Sequence, residues 1–126
     1  MSMEEKRRRG CCEPVPPALP NERAEELAAV FKALGDPTRL MLLAFCAEAE
    51  HTGNECVGAA KLSQSRVSAH LACLVSCGLV IVRRCGRFAY YQVTDPKVTE
   101  LVSVGTGIVA DRAESIAACT KVRSTA

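Results

Sequence analysis

With 126 residues and 48% apolar side chains, the chain has room for one compact domain with a real core. It has no tryptophan and only 4% aromatics, which excludes stacking on bases or sugars as its main mode of recognition. The net charge is only +2, but positive charge gathers at Lys6, Arg7, Arg8 and Arg9 and again at Arg83, Arg84 and Arg87, and a polyanion meets local clusters rather than the sum.

Residues 1–20 read as a flexible arm: a charge run, then Cys11-Cys12, then four prolines before Asn21. No apolar leader core follows the N-terminus, and the longest apolar run, residues 40–46, is too short to span a bilayer. A cytoplasmic location without membrane contact is the expectation. Thiols stay reduced there, so the eight cysteines do not read as a disulfide framework; metal binding or redox sensing comes first.

Asn21 is placed to cap a helix with a Glu-rich first turn, and Ala24, Leu27, Ala28, Phe31 and Leu34 recur at helical spacing. Gly35 ends it. Asp36 caps the next helix, with Pro37 at its first position and Leu40, Leu43 and Ala44 as a buried face. Residues 51–54 read as a turn, 55–60 as a very short helix and 62–65 as a second turn and cap. A helix over 64–77 follows, with Val67, Leu71 and Leu74 inward and Gly78 at its stop.

The period then changes. Residues 79–82 read as a strand, 83–87 as a basic turn and 88–94 as a second strand. Asp95-Pro96 opens a last helix expected to reach about Cys119, leaving 120–126 as a tail. The pattern predicts a mainly α fold with a β-hairpin wing (α+β): a winged helix-turn-helix over 21–119.

Such a fold reads double-stranded DNA through short polar side chains on an exposed helix face. Ser63, Gln64, Ser65, Arg66 and Ser68 supply that face, with Gln and Arg long enough to reach base edges. Arg83, Arg84 and Arg87 at the hairpin tip suit phosphates or the minor groove. The alternative, a solvated polar face and an idle basic loop, does not account for the two features occurring together.

The segments "VFKALGDPTRLMLLAF", "LSQSRVSAHL", "GLV" and "GRFAYYQVTDP", in that order over residues 24–101, resemble the ArsR/SmtB family of metal-responsive repressors. The resemblance implies a homodimer joined through its first and last helices, each subunit placing its reading helix in one half-site of a palindromic operator. It implies an inorganic inducer and no organic small-molecule substrate.

The family senses metals at several places. Its zinc-type site uses Asp, His and Glu on the last helix; here that helix offers Asp95, Asp111 and Glu114 but no His. His70 reads as structural. The cysteines remain, and thiolate-only sites select soft ions. Cys73, Cys77 and a tail Cys119 resemble the cadmium- and lead-sensing branch, in which the tail cysteine comes from the other subunit. Cys11, Cys12 and Cys56 resemble arsenic sensors, although Gly58 stands where those relatives carry a further Cys. Cys73 and Cys77 also read as small core residues, Cys46 as core and Cys85 as an exposed thiol at the wing. Hg(II) is the favoured inducer, with Cd(II), Pb(II) and As(III) alternatives of the same chemistry.

Two other readings use the same thiols. One is a redox-sensing repressor of the same fold. The other is an enzyme, because Cys77 and Arg83 match the C-x5-R signature of phosphatases and arsenate reductases. That chemistry needs free backbone amides around an anion, whereas β-branched residues here predict amides paired in a strand.

Overall fold

The computed structural model describes residues 18–125, with side chains as far as Cys119. Cys11 and Cys12 therefore lie outside the described residues. The chain forms two units, residues 1–31 and 32–126. In the first, the described residues form most of helix α1 (Asn21–Leu34). Leu27 and Phe31, which helical spacing predicts to face inward, are exposed.

The second unit contains α2 (Pro37–Glu48), strand β1 (His51–Thr52), α3 (Gly53–Ala60), α4 (Gln64–Ser76), β2 (Ile81–Cys85), β3 (Phe88–Gln92), α5 (Pro96–Asp111) and α6 (Ala113–Thr125). Local chemistry sets each boundary. Asp36 caps α2 by accepting from the backbone N–H groups of Thr38 (2.8 Å) and Arg39 (3.1 Å). Thr52 and Glu55 form a reciprocal capping box at the start of α3. That box moves the helix start back to Gly53, so the predicted turn at 51–54 is instead a short strand and the first turn of α3.

Lys61, with φ of 55°, is the one non-glycine residue in the left-handed region among those described, and it stops α3. Ser63 then caps α4, accepting from the Arg66 N–H at 3.3 Å. The core is Leu42, Leu43 and Cys46 of α2, Cys56 of α3, Val67, Leu71 and Leu74 of α4, and Val80, Val93 and Val98 beyond. The inward face predicted for α4 is the buried one. Leu40 of α2 is exposed instead, and Leu42 takes its place in the core.

The sheet has the order β1-β3-β2, antiparallel throughout. The hairpin is displaced from its predicted position. Leu79 and Val80 lead into it without joining the strand, while Arg83, Arg84 and Cys85 pair with Tyr90, Ala89 and Phe88. Only Gly86 and Arg87 form the turn, and the left-handed φ of Gly86 (61°) suits the first position of a type II′ hairpin. The last helix also differs: α5 breaks at Arg112 (φ −132°, ψ 31°), and Cys119 lies on the separate helix α6. Neither glycine nor proline stands at the break, so composition gave no warning of it. The backbone of residues 120–125 continues α6.

Candidate functional site

Ser63, Gln64, Ser65, Arg66 and Ser68 are all exposed at the N-terminal end of α4. Their surface is set by Val67, Leu71 and Leu74, which anchor the opposite face in the core. Ser63 spends a lone pair on its cap, so its hydroxyl is positioned rather than free. A cleft of about 190 Å³ brings Gln64 and Ser68 of α4 together with Arg87 of the hairpin turn and with Thr52 and Asn54 at the start of α3. Sequence reasoning did not single out Thr52 and Asn54; their signal was the capping box beside the helix-turn-helix.

The three hairpin arginines are not equivalent. Arg83 donates to the Glu50 carboxylate from Nε (3.1 Å) and Nη2 (2.8 Å), and its guanidinium lies 4.6 Å above the Tyr90 ring. The pairing holds Glu50 below the usual carboxylate range and pushes Arg83 further up. Arg84 and Arg87 are exposed, with Arg87 at the turn itself.

At the other end of α4, Cys73 is half-buried and Cys77, the C-cap residue, is exposed. The two lie one turn apart on α4, and the Cys77 thiol is pushed up by burial and then by its neighbour Cys73. The predicted pairing on one helix face is present. Arg39, which sequence reasoning missed, closes the site. It donates from Nη1 to the Ala33 carbonyl (2.9 Å) and to Cys73 Sγ (3.5 Å), and from Nε to His70 Nδ1 (3.2 Å). His70 is thus held as an acceptor in the α2–α4 joint, the structural role expected of it.

These thiols fit a soft cation chemically. Two sulfurs lie together near solvent, and a guanidinium beside them is placed to balance the negative charge of a thiolate complex. Cys119 is exposed on α6. Among the described residues of a single chain, no three Cys, His, Asp or Glu side chains converge. Cys56 is fully buried in the core and Cys11 and Cys12 lie outside the described residues, so the second predicted set is not brought together among them. The hydrogen bond that Cys46 donates to Cys56, followed by burial, pushes Cys46 up, and the same bond lowers Cys56. Cys85 is exposed at the end of β2.

The segment from Cys77 to Arg83 has no anion cradle. The N–H groups of Leu79 and Val80 donate to the Leu74 carbonyl and that of Gly78 to Val75, and Ile81 and Val82 are in the ladder.

Residues 36–82 match the family model for the bacterial regulatory protein, arsR family. The chain is 45% identical over 104 residues to a probable mercury resistance operon repressor of Streptomyces lividans, covering 82% of this chain and 83% of that one. The chain belongs to the ArsR family. Two solved structures share the fold at 29% identity. One is NolR from Sinorhizobium fredii, with a TM-score of 0.68 over 76% of this chain and 95% of that one. The other is the homodimeric winged helix-turn-helix DNA-binding domain of Mb0332 from Mycobacterium bovis, a possible ArsR-family regulator, with a TM-score of 0.65 over 79% and 92%. As an ArsR-family member the chain is a DNA-binding transcriptional repressor and not an enzyme. No described helix is long and apolar enough to cross a membrane.

Proposed function

We propose that this ArsR-family repressor binds operator DNA as a homodimer and releases it when cysteine thiolates capture a soft metal ion, with Hg(II) the favoured inducer and Cd(II), Pb(II) and As(III) alternatives. The carrying observation is the placement of Cys73 and Cys77 one turn apart at the C-terminal end of the reading helix, with Arg39 donating to the Cys73 sulfur. The name of the Streptomyces lividans relative supports the choice of ion. Val104, Ile108 and Val109 on α5, and Leu27 and Phe31 on α1, are apolar and exposed in the single chain, as a second copy would require. That copy would bring its own Cys119 as the third ligand.

In the DNA-bound form, Gln64, Ser65, Arg66 and Ser68 face base edges and phosphates, Ser63 orients them, and Arg84 and Arg87 take the backbone beside the wing. Arg39 holds the far end of α4 to α2. Capture of Cys73 replaces a weak thiol acceptor with a charged thiolate complex beside Arg39, which draws the guanidinium from the Ala33 carbonyl and His70 and lets that end of the helix shift. A coupling of about 1–3 kcal/mol corresponds to a 5- to 150-fold loss of operator affinity.

The test is a mobility shift on the DNA upstream of the protein's own gene, titrated with each ion. Wild type and Cys12→Ser release the DNA, whereas Cys73→Ser keeps it. Normal release by Cys73→Ser overturns the α4 site, and failure of Cys12→Ser to release moves sensing to Cys11, Cys12 and Cys56.

A further inference from the structure

Glu50 stands between α2 and β1, and its carboxylate accepts both hydrogen bonds of a bidentate pair from Arg83 of β2, at 3.1 Å and 2.8 Å. The sheet order is β1-β3-β2, so this pair spans a whole strand. Tyr90 of β3 lies beneath it, its ring 4.6 Å from the Arg83 guanidinium.

The two ends of the clamp differ in how firmly they are mounted. The Glu50 end is fixed. It follows α2 directly, and the next residue, His51, stacks its ring on Phe45 of α2 at 3.6 Å and pairs with Tyr91 in the ladder. The hairpin end is not held by the core: Ile81, Arg83, Arg84, Cys85 and Phe88 are all exposed. Among the described residues, no other side-chain hydrogen bond or ion pair joins the hairpin to the rest of the unit.

Strand alternation sorts the hairpin arginines. Arg83 pairs with Tyr90 on one face of the sheet. Arg84 pairs with Ala89 on the other, and Ala89 lines the cleft with Gln64, Ser68 and Arg87. Holding Arg83 on the back therefore sets how Arg84 and Arg87 are presented beside the reading helix.

We propose that Glu50 is a positioning residue for DNA binding, which acts through Arg83 to fix the hairpin in the pose that meets the duplex. The proposal rests on the reading of the hairpin as a DNA-contacting wing. A hairpin ordered beforehand loses less conformational freedom on contact with DNA. The pair is partly exposed at both ends, so its contribution to fold stability is small.

Simple charge counting predicts the opposite sign. Removing Glu50 deletes an anion and releases a cation beside a polyanion, which by itself tightens binding and steepens its salt dependence. The two accounts are therefore separable in one measurement.

The test is a salt titration of binding to the DNA upstream of the protein's own gene, with full-length Glu50→Ala, Arg83→Ala, the double variant and Arg87→Ala. Glu50→Ala is expected to bind about three- to tenfold more weakly than wild type, with an unchanged salt slope. In the Arg83→Ala background the same change is expected to cost less than about twofold, because its effect runs through Arg83. Its Tm is expected to stay within about 3 °C of wild type at equal protein concentration. Backbone amide relaxation by NMR is expected to show faster motion at Gly86 and Arg87. Glu50→Gln keeps the side chain's shape without its charge, is expected to shift affinity the same way, and decides the matter if Glu50→Ala does not fold. Binding as tight as wild type or tighter, a steeper salt slope, an equal loss in the Arg83→Ala background, or an unmoved hairpin overturns the proposal. If Arg87→Ala flattens the slope while Glu50→Ala binds as wild type, the positioning role alone falls. If Arg87→Ala leaves the slope unchanged, the wing reading falls and this proposal with it.

Discussion

Arg39→Met isolates what the α2–α4 joint contributes. The substitution keeps an apolar stem of similar reach, so the main loss is the guanidinium's three hydrogen bonds. The 2.9 Å bond to the Ala33 carbonyl has a charged donor and satisfies a helix-end acceptor, which is worth about 1.5 kcal/mol. The 3.2 Å bond to His70 adds about 1 kcal/mol, and the 3.5 Å contact with a weak sulfur acceptor adds little. Arg39 is half-buried, so water replaces part of this, leaving a net destabilisation of about 2 kcal/mol. For a chain of this size that lowers Tm by roughly 6–8 °C. The assay is denaturant and thermal unfolding at a fixed protein concentration, because dimerisation makes Tm depend on concentration. A double-mutant cycle with His70→Ala is expected to return a coupling of about 0.5–1 kcal/mol. If Arg39→Met unfolds within about 0.5 kcal/mol of wild type, the joint is not held by these bonds and the reasoning fails.

The hairpin arginines should separate in a salt titration of operator binding. Arg84→Ala and Arg87→Ala each flatten the dependence of log affinity on log salt by about one unit, whereas Arg83→Ala, whose charge is shared with Glu50, changes it less. Asp36 has its carboxyl pulled down, first by the N–H of Arg39, so its extra stabilisation is present above the unfolded pKa and is lost as pH falls through the folded one. Denaturant midpoints of wild type and Asp36→Asn, taken at neutral pH and in acid, should therefore converge on acidification; a gap that widens would refute the assignment. Leu74→Ala removes a fully buried side chain beneath the reading helix and is expected to cost about 2–5 kcal/mol by chemical denaturation, with loss of operator binding following loss of fold.

Most of this architecture was legible because its signals are local. Asp36-Pro37 announces a helix start, Val67, Leu71 and Leu74 announce a buried face, and Gly78 announces a stop. What escaped depends on partners far away in sequence. Strand β1 exists only because Tyr90 and Tyr91 offer it an edge. Arg83 and Arg84 carry no strand signature, yet Tyr90 and Ala89 draw them into the ladder and move the turn to Gly86 and Arg87. Arg39 carries no signal of its own in the sequence; its role appears only when His70 and Cys73 come within reach from more than 30 residues away. The facing of Cys73 and Cys77 was readable from helical spacing alone. The complete burial of Cys56 was not, since it depends on how α2 and α3 pack.

On the proposed reading both functions sit on one helix, and that placement constrains how a metal can act. Cys73 is nine residues from Gln64 on α4, about 14 Å along the helix axis. An ion at the thiols therefore touches neither base edges nor the side chains that read them. Its effect must be carried by the orientation of the helix as a body. Tilting a rod of that length by about 10° moves its far end by roughly 2 Å. Hydrogen bonds to bases tolerate only a few tenths of an ångström, so a tilt of this size is enough to lose them. The helix resists tilting because Val67, Leu71 and Leu74 pack its middle and Arg39 secures its thiol end. Of these restraints, only the one at Arg39 includes a sulfur, that of Cys73. Redirecting the guanidinium from Ala33 and His70 toward a charged thiolate complex is a route from sulfur to DNA that leaves the hydrophobic core intact, and it predicts that Arg39→Met binds the ion yet shows a smaller metal-induced loss of operator affinity than wild type. Equal losses in the two proteins, measured by the same mobility shift, would place the coupling elsewhere.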